Sequence, residues 1–147
     1  MKTTVKFKKL CDNAVTPTYG SVHSAGADLY AVNSEDMVIL SGTTQMVHTG
    51  IAAEIPEGYV GLVFARSGLA AKKGLAPANK VGVIDADYRG EIIVALRNDS
   101  NTARVVQKGE RVAQLVIVPY VTAKFEEVDE LSDTERGEKG FGSPGSK

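Results

Sequence analysis

Asp85 and Asp87 sit two residues apart in NKVGVIDADYRGEI (79–92), followed at once by Tyr88 and Arg89. Residues of like parity on an extended chain share a face, so the two acids are expected to project together. Two neighbouring carboxylates can hold one member as a general base or recruit a hydrated divalent cation. The plainer alternative is a polar hairpin with solvated acids. A calcium loop is excluded, because Gly90 leads directly into a strand-like run with no acid at its far end. The segment predicts a strand, a tight reversal over 88–90 and a returning strand, with the Tyr88 ring offered at the tip.

Three other stretches carry chemically competent side chains. In AGADLYA (25–31) Asp28 lies among apolar positions, where a carboxylate needs a partner. It caps a turn, pairs with a structural arginine, or serves a site. In FARSGLAAKKG (64–74) the residues Arg66, Ser67 and Gly68 stand where a strand hands over to a short helix. A helix start offers unpaired N–H groups, Gly68 allows close approach, and Arg66 adds a planar fork of donors, which together suit an anion. An ordinary N-cap beside a surface arginine explains the same residues. In KGERVAQLVI (108–117) Gln114 falls inside an apolar strand, and its amide needs hydrogen-bond partners from backbone or ligand, backbone being the commoner source. The tail RGEKGFGSPGSK (136–147) is glycine-rich yet carries Phe141 with no apolar neighbour. His23 and His48 are too isolated for a metal cluster and read as structural or surface residues. Cys11, the single cysteine, excludes both an intramolecular disulfide and a thiolate zinc site.

The elements that must position these residues read as strands. Apolar runs at 5–10, 27–32, 37–40, 51–55, 59–64, 81–84, 92–96 and 112–121 are each strand length or a little more, and turn signals such as Pro56-Glu57-Gly58 and Lys108-Gly109 separate them. That spacing predicts an all-β sandwich or barrel. In EIIVALRN, Ile92, Val94 and Leu96 point one way and Ile93, Ala95 and Arg97 the other, with both faces expected to be largely covered. Only 67–75 reads as a helix, with Ser67 as N-cap and Gly74 as stop. At 147 residues one domain is expected, over 1–126, followed by a flexible arm over 127–147 where the composition turns acidic and then glycine-rich. Seventeen basic residues against eighteen acidic ones argue against gripping a nucleic-acid backbone or an anionic membrane, but not against a small charged ligand. Without a signal-like or membrane-spanning run, the chain is expected to be soluble and intracellular, cytoplasmic or otherwise.

In order and combination, AGADL, RSGLA, NKVGVIDADYRGEI, GERVAQLVI and RGEKGFGS resemble the five motifs of the homotrimeric deoxyuridine triphosphatases (dUTPases), and the match runs from Pro17 to Ser143. The resemblance implies a distorted β jelly roll and a threefold trimer. It implies hydrolysis of dUTP to dUMP and pyrophosphate with Mg2+, which limits uracil incorporation into DNA and supplies dUMP for thymidylate synthesis. Each site would lie between subunits and collect motifs from all three chains, which accounts for the incompleteness of any one motif.

By position, the resemblance makes Asp85 the carboxylate that activates water for in-line attack on the α-phosphorus. A base so placed is worth about 10²- to 10⁴-fold in rate. The triphosphate itself would hold the metal, with no direct protein ligand, and Asp28 would support it through water. Arg66, Ser67 and Gly68 would grip phosphate, and Gln114 would stand near the phosphates and the catalytic water. Asn79 with backbone groups of Gly82, Val83 and Ile84 would read the uracil edge, and Tyr88 would pack under the deoxyribose and reject a ribose hydroxyl. Arg136 would reach the γ-phosphate, while Phe141, Gly142 and Ser143 would close over the base and phosphates. Asp87 receives no comparable role. The family commonly has glycine at Lys139 and threonine at Pro144, and it varies freely at Ala27.

Two rivals remain. The dCTP deaminases share the fold and a related hairpin but use a glutamate base and generally lack the RGxxGFGS arm; Glu91 here does not sit in their pattern. A non-catalytic jelly-roll binding module would explain the strands but not why Asp28, Arg66, Asp85, Gln114 and Phe141 occur in family register.

Overall fold

Strand β9 (Glu91–Asn98) sets the pattern for the core: Ile92, Val94 and Leu96 are buried in alternation, so one face of the strand meets the interior. In the computed structural model, which describes residues 3–138 and 140, this strand lies inside a four-stranded antiparallel sheet. The order is β1 (Lys6–Lys9), β5 (Thr44–Glu54), β9 and β7 (Leu75–Pro77). A five-stranded sheet holds β2 (Thr18–Tyr19), β3 (Ala27–Tyr30), β11 (Arg111–Pro119), β6 (Tyr59–Phe64) and β8 (Gly82–Ile84), in that order. A further ladder joins β4 (Met37–Ile39) to β10 (Arg104–Val106). Leu29, Val63, Ala113 and Leu115 of the five-stranded sheet share one core with Val47, Val94, Leu96 and Leu75 of the four-stranded sheet and with Ile39 and Val106 of the small ladder. The result is the all-β architecture that the spacing of runs and turns predicts, in the distorted jelly-roll form that the resemblance implies, closed by a buried apolar interior as its main stabilising term.

The outer face of β9 departs from expectation. Ile93 is 37% exposed, and Met46 beside it on β5 is 54% exposed, so within one chain that face lacks a cover. The strand β5 runs eleven residues, well beyond the apolar run at 51–55, because its polar half pairs with β9 through Thr44, Gln45 and Met46. It is broken by a bulge between His48 and Ala52, where Gly50 adopts φ 64°. A Cβ at Gly50 would lie 2.7 Å from Cys11 Sγ and 2.8 Å from Ala14 Cβ, so only glycine fits.

The single helical element among the described residues is shorter than 67–75. Ser67 and Gly68 begin it and Leu69–Lys73 form one wide turn. The first bond runs from the Ala70 N–H to the Arg66 carbonyl (2.9 Å), which puts Ser67 inside the turn rather than before it, and no side-chain cap is made. Gly74 ends the turn as expected, with φ 68° and its N–H on the Ala70 and Leu69 carbonyls. Leu75 is then free to start β7.

The third segment is also rearranged. Its strands β8 and β9 do not pair with each other; β8 pairs with β6 and β9 with β5 and β7, so the connection passes from one sheet to the other. The reversal occurs at Ala86-Asp87, closed by the Tyr88 N–H on the Asp85 carbonyl (3.2 Å), earlier than 88–90. Among the described residues, regular structure ends at Pro119. Residues 120–138 contain no helix or strand, and Val121, Phe125 and Leu131 are nearly fully exposed.

Candidate active site

Strands β3, β11 and β6 run side by side, and their register places Asp28 directly opposite Gln114, with Phe64 across from Gln114 on the other side. Asp28 is buried and is held by two guanidinium groups. Arg66 Nε donates to Oδ1 at 2.8 Å and Arg111 Nη1 donates to Oδ2 at 3.1 Å. Arg66 Nη1 also donates to the Arg111 carbonyl at 3.2 Å. The partner that a carboxylate among apolar residues requires is thus a pair of arginines, one from the RSG segment and one from β11. One carboxylate between two guanidinium groups leaves this spot a net positive charge, which favours a polyphosphate.

Arg111 was not identifiable as a site residue by parity, because it stands three positions from Gln114. A register shift between Arg111 and Ala113 resolves this. Val112 and Ala113 are both buried in succession, the signature of a bulge that re-aims the preceding side chain. Arg111 and Gln114 then line one open cavity of about 430 Å³ together with Gly20, Gly26, Asp28, Arg66, Ser67 and Gly68. Ser67 and Gly68 are exposed at its edge, next to the Arg66 carbonyl that anchors the helical turn.

Gln114 Nε2 donates to the Ala65 carbonyl at 2.9 Å. Its Oε1 lies over Gly26, where an added Cβ would come within 3.1 Å of both Cβ and Cδ of Gln114. Gly26 of AGADL therefore leaves room for this amide, and backbone rather than ligand supplies the partner of its NH2 group.

Asp85 lies elsewhere in the chain. It is exposed at the end of β8 and lines a second cavity, of about 320 Å³, with Met46, Val83, Ile84, Tyr88, Glu91 and Ile93. The two cavities share no lining residue. Asp87 does not line it: the strand ends at Ile84 and the turn takes Asp87 away, so the parity that pairs it with Asp85 does not apply. Tyr88 folds back over Gly90, where a Cβ would lie 2.6 Å from the ring Cζ, and its hydroxyl donates to the Glu91 carbonyl at 2.9 Å. Arg89 Nη1 donates to the Ala86 carbonyl at 2.6 Å and the Tyr88 carbonyl at 3.0 Å, stiffening the turn from within.

The strand β8 is an edge strand, so its outer backbone groups at Gly82, Val83 and Ile84 are open to a ligand. Asn79 is exposed beside it, turned over Gly82 by the Lys80 kink (φ 65°), with its Nδ2 3.6 Å from the Cβ that Gly82 lacks. Arg136 is exposed on the arm. Phe141, Gly142 and Ser143, like Lys139 and Pro144, lie outside the described residues. Among the described residues no three or more His, Cys, Asp or Glu side chains are grouped as a protein-built metal site would need, and no helix is long and apolar enough to cross a membrane.

Comparison with known proteins matches residues 12–145 to the dUTPase family model. The chain is 50% identical over 141 residues to the deoxyuridine 5'-triphosphate nucleotidohydrolase of Nautilia profundicola, covering 96% of this chain and 98% of that one. It is 48% identical over 146 residues to the enzyme of the same name from Syntrophotalea carbinolica, covering 99% of each. Among solved structures, the dUTPase of Staphylococcus bacteriophage 80alpha with dUPNHPP superposes with a TM-score of 0.89 at 34% identity, over 98% of this chain and 99% of that chain. An aspartate-to-asparagine mutant dUTPase of phage phi11 of S. aureus, described with the coordination of a structural Mg(II) ion, superposes with a TM-score of 0.76 at 29% identity over 87% and 98%. With its first, second and fourth motifs lining a doubly cationic groove, its third lining a separate edge-strand cavity, and relatives matched along nearly its whole length, the chain belongs to the dUTPase family.

Proposed function

We infer that this chain is a dUTP diphosphatase, hydrolysing dUTP to dUMP and pyrophosphate. The observation that carries the reading is the convergence of Arg66 and Arg111 on Asp28 beside Gln114, a built polyphosphate groove in family register. In this reading the α-phosphate lies near Gln114 and Asp85 accepts the proton of the attacking water, which enters in line with the departing pyrophosphate. Arg66, Ser67 and Gly68 hold the phosphates, and Arg136 reaches the γ-phosphate from the arm. Asn79 and the open edge of β8 at Gly82, Val83 and Ile84 read the uracil edge. Cytosine would leave donors and acceptors there unpaired, the costliest kind of mismatch. Phe141, Gly142 and Ser143 complete the lid in the same reading, with 127–147 acting as the arm.

Mg2+ bound to triphosphate oxygens would neutralise charge on the leaving pyrophosphate. The groove fits such an ion only as an outer layer of acceptors. Both Asp28 oxygens carry an arginine, which uses two of the roughly four lone-pair positions of a carboxylate, and Gln114 Oε1 is a further acceptor. The direct duty of Asp28 is therefore to orient Arg66 and Arg111, and its support of a metal is through water.

Because Asp85 and the phosphate groove occupy separate cavities, one chain does not assemble the site. Homotrimers are typical of the family, and in this reading one subunit brings the Asp85 cavity against the groove of another, the exposed Ile93 and Met46 gaining cover in the process. The test is to incubate the protein with Mg2+ and dUTP, dCTP, dTTP or UTP, following pyrophosphate and ammonia separately. Pyrophosphate from dUTP alone is the expected result. Ammonia from dCTP would favour the deaminase reading, and no turnover of any nucleotide would favour a binding module.

A further inference from the structure

Glu91 opens β9 directly after the third-motif turn, and its side chain is four-fifths buried although nothing in the reaction requires it. Its Oε1 accepts the Gly50 N–H at 2.7 Å and its Oε2 accepts from His48 Nδ1 at 2.8 Å. Both partners belong to the β5 bulge, where the left-handed Gly50 turns its N–H toward the carboxylate. The backbone carbonyl of the same Glu91 receives the Tyr88 hydroxyl at 2.9 Å. The Tyr88 ring is thus tied to one end of a residue whose other end is bolted to the neighbouring strand. We propose that Glu91 is a positioning residue for sugar selection: it holds the Tyr88 ring rigid, so that the ring excludes a ribose 2'-hydroxyl instead of yielding to it.

The physical ground is stiffness. A wall rejects one added oxygen only if it cannot retreat by an ångström or so, and a functional side chain held by an unsupported neighbour is typically loose by about that much. The ring rests on Gly90 by one side only and Tyr88 is 42% exposed, so packing alone does not fix it. The Glu91 tether supplies the missing constraint. Glu91, which does not sit in the deaminase pattern, is in this view engaged on the β5 bulge, where it serves specificity.

The proposal rests on the assignment of Tyr88 to the deoxyribose, and the experiment separates the two. Steady-state pyrophosphate release with Mg2+ is measured on dUTP and on UTP for the wild-type protein, Glu91→Ala, Glu91→Gln and Tyr88→Ala. Glu91→Ala is expected to lower the ratio of kcat/KM on dUTP to that on UTP about tenfold, the scale on which pockets distinguish one small group. Glu91→Gln, whose amide oxygen still accepts from Gly50, keeps most of the ratio. General structural damage would depress both substrates together and leave the ratio unmoved. If Glu91→Ala does not fold, Glu91→Asp, one methylene short of Gly50, is read the same way. A relaxed ratio in Tyr88→Ala with an unchanged ratio in the Glu91 variants overturns the tether and leaves the Tyr88 assignment standing. An unchanged ratio in Tyr88→Ala overturns that assignment and the tether with it.

Discussion

Arg111 and Gln114 line the same groove although they stand three positions apart along β11. In an unbroken strand an odd separation sends two side chains to opposite faces. The bulge between Arg111 and Ala113 absorbs one residue, buries Val112 and Ala113 together, and returns Arg111 to the side of Asp28. The groove owes its second cation to this defect in the ladder.

Arg111→Ala should therefore weaken substrate binding more than chemistry. We expect KM for dUTP to rise about tenfold, the usual consequence of losing a charge-assisted contact or its positioning effect, with kcat changed less. Arg111→Lys should recover only part of this, because a lysine keeps the charge but cannot reach Asp28 with a planar fork. Steady-state kinetics on dUTP decides it; wild-type KM in Arg111→Ala would show that the second guanidinium is idle.

Asp85→Asn preserves the shape of the edge-strand cavity while removing the proposed base. Turnover of dUTP is expected to fall about 10²- to 10⁴-fold. Calorimetric binding of a non-hydrolysable dUTP analogue should stay within a few-fold of wild type. Near-normal turnover would take Asp85 out of its role.

Stability depends on a buried amide that lines neither cavity. Asn98 is fully buried; its Nδ2 donates to the Ile39 carbonyl at 2.9 Å and the Thr102 carbonyl at 2.8 Å, and its Oδ1 accepts the Ser100 N–H at 2.9 Å. Asn98→Ala would strand these groups, at a cost of about 3 kcal/mol. Urea denaturation monitored by circular dichroism measures it, and a loss under about 1 kcal/mol would mean that water replaces the amide.

The sequence was legible where side chains report burial directly. Alternation in Ile92, Val94 and Leu96 marks the core face of β9, and Gly74 marks the end of the helical turn because only a left-handed residue closes it. Strands β2, β7 and β10 are two or three residues long, too short for a period to register, and the polar half of β5 is held by pairing rather than by hydrophobicity. The site divides along the same line. Asp28 declares itself as an acid in an apolar setting that needs a partner. Arg111 does not, since a charged residue at a strand start looks like solvent-facing surface until the register is known. The segment around Asp85 reads as a hairpin because two apolar runs flank a turn; that the runs join different sheets is decided by long-range pairing with β6 and β5, which local sequence does not encode.

The closeness of Gln114 to Gly26 carries a consequence on the scale of descent rather than of one molecule. The volume that a side chain at position 26 would need is already taken by the amide from position 114. Position 26 cannot enlarge alone: a lineage that adds a side chain there must shorten or redirect Gln114 in the same step, and would then lose the amide proposed to stand near the α-phosphate. What fits at position 26 is thus decided by a side chain eighty-eight residues further along the chain.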